Sequence, residues 1–240
     1  MFKFNIDKFV AKLAKKSFEF SDRDFETVVK HRAKIIPDFL LKLDNITKQD
    51  SVSYNADILC IIFLLSDLEI KEAFPTIIKI CRHCTEDDLE NIFSGYSPVE
   101  ELNKVLSSTY NGDFSLLSEL IEGSTYSTTA RSQAISAMNL LYEENLMTRD
   151  FLLKYYASLF EIKQFNSNPY LMGSFICYLL DIEAKELRDK IEDSYHKNLV
   201  DTGFVTLDEA MQGLEMPRKK IDLLFNHLVE NMPKVEFNRQ

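Results

Sequence analysis

Apolar residues recur at spacings of three and four along most of this chain, and this pattern constrains the fold more than any other feature of the sequence. The segment FPTIIKICRHC places four of them on one face of a helix: Phe74, Ile77, Ile78 and Cys81. Such a face is buried only when another apolar surface covers it. The pattern therefore predicts helices that pack against one another.

Glycine and proline are scarce, with 6 of each in 240 residues. Together they make up 5% of the chain, whereas their usual share is roughly 12%. Because sheets and sandwiches use these residues in their turns, the scarcity favours long helices joined by short loops. The sequence therefore predicts an all-α fold.

From about residue 52 the predicted helices alternate in pairs. The first members contain ADILCIIFLLSDL, VEELNKVLSSTY, TTARSQAISAMNLLYEEN and YLMGSFICYLLDI, and their partners contain FPTIIKIC, DFSLLSELIE, RDFLLKYYASLF and AKELRDKIEDSYHKNL. We take Leu64, Leu106, Leu140 and Leu179 as corresponding positions in successive pairs. They are 42, 34 and 39 residues apart, which are lengths typical of two-helix repeats. TTARSQAISAMNLL resembles the inward helix of a HEAT-like repeat. The chain is thus predicted to form a short right-handed α-α superhelix.

One helical-repeat domain is expected over residues 1–240, with N-terminal capping helices in 1–50, a repeat core in 51–200 and a C-terminal cap in 201–240. Proline is favoured in the first turn of a helix. Pro37 is therefore predicted to open a helix over about 37–46 after one over about 23–34, and Pro75 to open the helix of FPTIIKIC. The cap is predicted to hold helices near 206–214 and 217–231, the second opened by Pro217.

The N-terminal segment FNIDKFVAKLAKK carries a short apolar stripe that is flanked by lysines, formed by Ile6, Phe9, Val10 and Leu13. One interpretation is a helix that lies on a membrane surface. The alternative is a helix that covers the first layer of the core. Asp7 and Glu19 dilute the positive charge, which favours the covering helix.

Charge is unevenly distributed along the chain. Residues 1–50 hold 11 Lys and Arg against 8 Asp and Glu, whereas residues 51–150 hold 6 against 16. An acidic middle repels phosphate groups, which disfavours nucleic acid as a partner. It favours a basic or amphipathic segment of another protein.

Cys81 and Cys84 lie three residues apart with His83 between them, which raises the question of a metal site or a redox dithiol. A zinc site usually needs four ligands in two pairs, and the sequence holds no second pair. A redox dithiol favours a helix N-terminus, whereas these cysteines lie toward a helix end. Cys60 and Cys177 stand singly in apolar helical segments. No metal, cofactor or catalytic residue is therefore predicted, and common nucleotide-binding and hydrolase motifs do not occur.

The longest uninterrupted apolar run, Ile58–Leu65, has eight residues. A membrane-spanning helix needs about 20, so this run is expected to form a helix buried on all sides. The chain also begins without the apolar core of a signal peptide. A cytoplasmic location is expected.

Several aromatic residues are candidates for a binding surface, although the favoured interpretation is partial burial between repeats. They are Tyr110, Tyr126, Tyr155 and Tyr156. Arg131, near the start of a predicted helix, is expected to bridge to an acid of the neighbouring repeat rather than to clamp a ligand.

Four segments carry a family resemblance, in the order KHRAKIIPDFLLKL, FLLSDLEIKEAFPTIIKI, SSTYNGDFSLLSELI and KNLVDTGFVTLDEA. Over about residues 24–215 the chain resembles a bacterial family catalogued as domain of unknown function 1186. Thr202 stands where that family leads us to expect a proline. The resemblance implies a HEAT-like helical superhelix and supplies no activity. Some relatives add a SEC-C zinc motif, but no cysteine follows Cys177 here, so that zinc site is not expected.

The leading functional hypothesis is a non-catalytic interaction module with an acidic surface. The alternative is an enzyme, or an enzyme accessory, with a cleft between repeats that sequence alone does not reveal. A third hypothesis is a bacterial protein that acts inside a host cell. The oligomeric state and the binding residues stay open.

Overall fold

A computed structural model describes residues 5–15, 19–53, 55–93 and 98–216, with the backbone alone for 98–100. All regular secondary structure in these ranges is helical, which confirms the all-α prediction. The α-helices are α1 Ile6–Ala14, α2 Asp22–Lys30, α3 Arg32–Asp44, α4 Ala56–Asp67, α5 Phe74–His83, α6 Glu86–Ile92, α7 Pro98–Thr109, α8 Phe114–Glu122, α9 Thr128–Glu143, α10 Arg149–Leu159, α11 Lys163–Asn166, α12 Pro169–Asp181, α13 Arg188–His196 and α14 Leu207–Glu215. The same ranges contain three short 3₁₀ helices, which span Ile46–Lys48, Lys71–Ala73 and Lys185–Leu187.

The four predicted helix pairs correspond to α4 with α5, α7 with α8, α9 with α10, and α12 with α13. Pro75 lies in the first turn of α5, as predicted. The helix predicted near 206–214 is α14, whereas the one predicted at 217–231 lies outside the described residues.

The described residues divide into two compact units, with the boundary between Leu152 and Leu153. In the first unit, α1, α4, α7 and α9 contact one another in that order and form a first row. The helices α3, α5 and α8 also contact one another in order and form a second row. Cross-contacts of α3 with α4, α5 with α7 and α8 with α9 join the rows. This serial packing is what helix pairs with one apolar face require, while the right-handed superhelical path stays a prediction.

The first row buries the most apolar segments of the unit. Of the run 58–65, all residues except Ile58 and Phe63 are buried, because α4 contacts α1, α3 and α7. The N-terminal helix α1 buries Val10 and Leu13 and contacts α4, as expected of a helix that covers the first layer of the core.

Pro37 lies inside α3, so the prediction that it opens a helix is wrong. The break between α2 and α3 is at His31, with φ −108° and ψ 16°. A proline removes one backbone hydrogen bond of the helix. The helix continues through this position because Ile36 before it and Phe39 after it are both buried. Burial of that face outweighs the lost bond.

Four helices of the described ranges end in the same turn, in which a residue other than glycine adopts the left-handed conformation. Three of them are first members of the predicted pairs, with Glu69 after α4, Asn145 after α9 and Glu183 after α12 at φ of 49°, 60° and 53°, and the fourth is α13, followed by Asn198 at 55°. The next N–H in each case donates to a carbonyl five residues back, from Ile70 to Leu65 at 2.9 Å, Leu146 to Leu141 at 2.8 Å, Ala184 to Leu179 at 2.9 Å and Leu199 to Ser194 at 3.0 Å. This is the hydrogen bond of a Schellman motif.

Among the first helices of the pairs, the shared turn makes Leu65, Leu141 and Leu179 equivalent. The predicted equivalence of Leu64 and Leu140 with Leu179 is therefore wrong by one residue, because two successive leucines stand at both places and apolar spacing alone does not choose between them. Leu65 and Leu141 are 76 residues apart, and Leu141 and Leu179 are 38 residues apart. Both distances are multiples of 38 residues, as expected of a repeat of that length.

In the second unit, α12 contacts α11 and α14, and α13 also contacts α14. Four aromatic rings meet at the centre of this unit. The ring of Phe175 lies 5.3 Å from those of Tyr156 and Phe160 and 5.4 Å from that of Phe165, measured between centroids. The hydroxyl group of Tyr195 donates to the carbonyl of Val205 at 2.8 Å and attaches the chain before α14.

Candidate functional site

Cys81 and Cys84 are part of the core. Cys81 lies on the buried face of α5, and Cys84 is the buried residue at which that helix ends. Burial raises the pKa of the Cys84 thiol to about 12 and raises the pKa of Cys81 as well. Both thiols are therefore protonated at neutral pH and are weak nucleophiles. His83 is exposed, and its Nε2 lies 2.9 Å from the carbonyl oxygen of Gln49.

The described residues hold no group of three His, Cys, Asp or Glu side chains arranged to bind a metal ion. Nor does any helix in the described ranges have the length and apolar composition to cross a membrane. Cys60 and Cys177 also have thiol pKa values that burial raises to about 12.

A cleft of about 290 Å³ lies among α1, α3, α4 and the 3₁₀ helix Ile46–Lys48. Its charged lining residues are Asp7, Lys42 and Asp57. The ammonium group of Lys42 lies 2.5 Å from a carboxylate oxygen of Asp7 and 3.0 Å from one of Asp38. A lysine held by two carboxylates keeps its proton and is a poor general base. The enzyme hypothesis stays a prediction.

Several bases of the second row form ion pairs between neighbouring elements. These pairs are Arg32 with Glu72 at 2.7 Å, Lys79 with Asp44, and Arg82 with Glu119 at 2.6 Å. Arg82 also donates to the carbonyl of Leu116 at 2.9 Å. Exposed pairs of this kind contribute at most about 1 kcal/mol each. Their larger effect here is local neutralisation of the charge on these helices.

Several acids of the first row lie at or near the ends of their helices. We define the acidic surface as the acids at the ends of α4 and α9 together with one on α7, namely Asp67, Glu69, Glu101, Glu143 and Glu144. All are exposed except Glu101, which is half-buried. Lys71 lies 3.7 Å from Glu69, and Lys104 lies 3.4 Å from Glu101.

Acids stand at the C-terminal ends of α4 and α9, where the helix dipole favours basic residues. A helix C-terminus carries partial negative charge and favours a cation by about 0.3–1 kcal/mol. The last turns of α4 and α9 contain no basic residue, and the helices end at Asp67 and Glu143. These ends therefore concentrate negative charge at a cost in stability.

Asp67 and Glu101 lie on neighbouring helices and influence one another. Asp67 lies at the surface, but the protein around its carboxyl group partly withdraws it from water. This desolvation, with the negative charge of Glu101, raises the pKa of Asp67. The helices that carry the two acids are held together near Asp67, where the Oγ atoms of Ser66 and Ser108 are 2.8 Å apart. A cation bound here would relieve the repulsion between the two acids.

The tyrosines predicted as possible binding surface are largely covered. Tyr156 is fully buried, whereas Tyr110, Tyr126 and Tyr155 are half-buried. The rings of Tyr110 and Phe74 lie 5.3 Å apart in an edge-to-face contact. Partial burial, the interpretation favoured from the sequence, describes Tyr110, Tyr126 and Tyr155, whereas Tyr156 belongs to the core.

Arg131 is 2% exposed, in the first turn of α9. Its Nε donates to the carbonyl of Ile121 near the end of α8 at 2.9 Å. Arg131 therefore attaches α9 to the preceding helix from inside the core. The predicted bridge to an acid stays a prediction.

Comparison with known proteins gives a family but no activity. The sequence profile of a family described as "Protein of unknown function (DUF1186)" matches residues 4–234. An uncharacterized protein of Chlamydia trachomatis serovar D is 24% identical over 192 residues, which cover 76% of this chain and 73% of that relative. No solved structure matches the chain.

Proposed function

Since the chain belongs to the DUF1186 family, whose description states no activity, we propose a function from its surfaces: a non-catalytic module that binds a basic or amphipathic segment of a partner protein through the acidic surface. The single observation that carries this proposal is the placement of Asp67 and Glu143 at the ends of α4 and α9, against the helix dipoles. Sites where a sequence sacrifices local stability are often functional sites.

The charges elsewhere in the unit support the same assignment. Several bases of the second row pair with neighbouring acids, as in the pairs of Arg32 with Glu72 and Arg82 with Glu119. The acidic surface, by contrast, holds five of the 16 acids of residues 51–150. Serially packed helices hold such a surface in place before a partner arrives, which lowers the entropic cost of binding.

The same charge disfavours phosphate-rich partners, so nucleic acid is not part of the proposal. We place its action in the cytoplasm, because all four cysteines are free thiols and such thiols suit a reducing compartment.

Reversing charge on the acidic surface is expected to weaken binding while leaving the fold intact. The test is a titration of a fluorescein-labelled, blocked amphipathic peptide of leucine and lysine into the double variant Asp67→Lys/Glu144→Lys. We expect about a tenfold loss of affinity or more at low salt. The melting temperature should stay the same or rise, because lysines complement the helix C-termini.

The matched control is Glu26→Lys/Glu90→Lys, which makes the same change of net charge at exposed positions of α2 and α6. It should retain most of the wild-type affinity. If both double variants lose affinity equally, only net charge matters and the assignment to the acidic surface is wrong.

A further inference from the structure

Two aromatic side chains that the proposed function does not use lie together at the surface of the second unit. Tyr170, in the first turn of α12, is 48% exposed, and Phe204, in the turn DTGF, is 37% exposed. Their ring centroids are 4.5 Å apart and the ring planes are nearly perpendicular, at 89°. We call these two residues the aromatic pair.

The backbone around the aromatic pair is fixed by several contacts. The Asp201 N–H donates to the carbonyl of Pro169 at 3.0 Å, and the Gly203 N–H donates to Oδ1 of Asp201 at 2.9 Å. A Cβ atom at Gly173 would lie 3.0 Å from the Asp201 carbonyl oxygen and 3.1 Å from Cδ2 of Phe204. Glycine at this position therefore lets the turn approach α12 closely and hold Phe204 beside Tyr170.

The chemistry around the aromatic pair favours a cation. The faces of aromatic rings carry negative potential, and they attract ammonium and guanidinium groups. Asp201, three residues before Phe204 in the same turn, is an exposed acid. A partner that covered this turn with apolar groups would desolvate the carboxylate without compensation, whereas a cationic partner interacts favourably with both the rings and the acid.

We propose that the aromatic pair and Asp201 bind an arginine side chain of a partner protein. The guanidinium group is planar and weakly hydrated, so it stacks on a ring while donating hydrogen bonds to a carboxylate. This inference rests on the proposed function for the basic class of partner, and it adds a second binding site with its own side-chain specificity. Because the turn is already formed, little ordering is needed when the arginine binds.

The test measures the anisotropy of a fluorescein-labelled, blocked peptide of alternating glycine and arginine. All proteins in this series carry Asp67→Lys/Glu144→Lys, so that the acidic surface does not dominate the signal. Tyr170→Leu and Phe204→Leu keep apolar area but remove the aromatic face, and each should weaken binding about threefold to fivefold. Asp201→Asn keeps an oxygen for the Gly203 N–H while removing the charge, and it should weaken binding about threefold.

The matched control is Asp189→Asn, an exposed acid on α13 that makes the same change of charge and should bind as before. A peptide with lysine in place of arginine should bind more weakly. Peptide binding that is undetectable, or that the two leucine variants leave unchanged, would overturn the proposal. Melting temperatures establish that each variant is folded.

The location is tested separately with Tyr170→Trp, which places a single indole at the aromatic pair because the chain contains no tryptophan. Its N–H resonance should shift saturably when the arginine peptide is added. An unmoved resonance excludes this site even if the acidic surface binds basic peptides. If the resonance shifts but Asp67→Lys/Glu144→Lys does not change the affinity for the leucine–lysine peptide, this site is supported and the acidic surface is rejected.

Discussion

Replacing Phe175 with alanine is expected to destabilise the second unit by about 3–5 kcal/mol, the usual cost of removing a buried aromatic side chain. Phe175 is fully buried, and its ring contacts those of Tyr156, Phe160 and Phe165 from α10, the loop after it and α11. Its loss leaves a cavity where three elements meet and removes the edge-to-face contacts, which contribute further stability. Urea unfolding followed by circular dichroism measures the change.

Phe175→Leu is the matched control, because it keeps most of the apolar volume. It should cost less than about 1.5 kcal/mol. If alanine and leucine are equally harmful, the particular ring contacts matter more than the filled volume. If Phe175→Ala costs less than about 1 kcal/mol, the described core of this unit is wrong.

Arg131→Ala is expected to destabilise the first unit by about 3 kcal/mol. The substitution leaves space in the core between α8 and α9 and removes the donor to the Ile121 carbonyl. A buried carbonyl without its donor costs about 1–3 kcal/mol, to which the cavity adds. The free energy of unfolding in urea is again the measurement.

Arg131→Met distinguishes packing from charge. Burial lowers the pKa of Arg131, as expected for a cation withdrawn from water. Methionine fills much of the same space without that desolvation cost, so it should lose less than half as much stability as alanine. Equal losses for the two variants would show that the guanidinium group, rather than the filled space, holds α9 in place.

The helices could be predicted from sequence because their apolar faces repeat, but their boundaries follow from packing. In α3, the buried side chains of Ile36 and Phe39 continue one face across Pro37, and no local rule signals this. The start of α5 at Phe74, by contrast, agrees with the local preference of Pro75 for a first turn.

The register of the repeats was harder to predict than their existence. Two adjacent leucines, as at Leu64 and Leu65, fit the same buried face, so apolar spacing alone does not choose between them. A better signal is the pair of segments DLEIKEA and DIEAKEL, where Glu69 and Glu183 take the left-handed turn and a 3₁₀ helix follows. Glutamate is an unusual residue for that turn, which explains why glycine-based reasoning missed it.

The acid excess was evident from composition, but its location was not. Charge counts alone do not distinguish an acid paired with a base, such as Glu119, from one at a helix end, such as Asp67. The position of Asp67 in the last turn of a helix that lacks a basic residue was the available signal. The aromatic pair gave no such signal, because Tyr170 and Phe204 are distant in sequence and meet only through the turn beside Gly173.

The central claim is that the acidic surface of the first row binds basic partners by charge. The most direct test is the affinity of the leucine–lysine peptide measured from about 50 mM to about 500 mM salt, a range over which exposed charges become screened. Wild-type affinity should fall at least about tenfold, and that of Asp67→Lys/Glu144→Lys should change much less. Wild-type affinity that is indifferent to salt, or equal salt dependence in the two proteins, would contradict the claim.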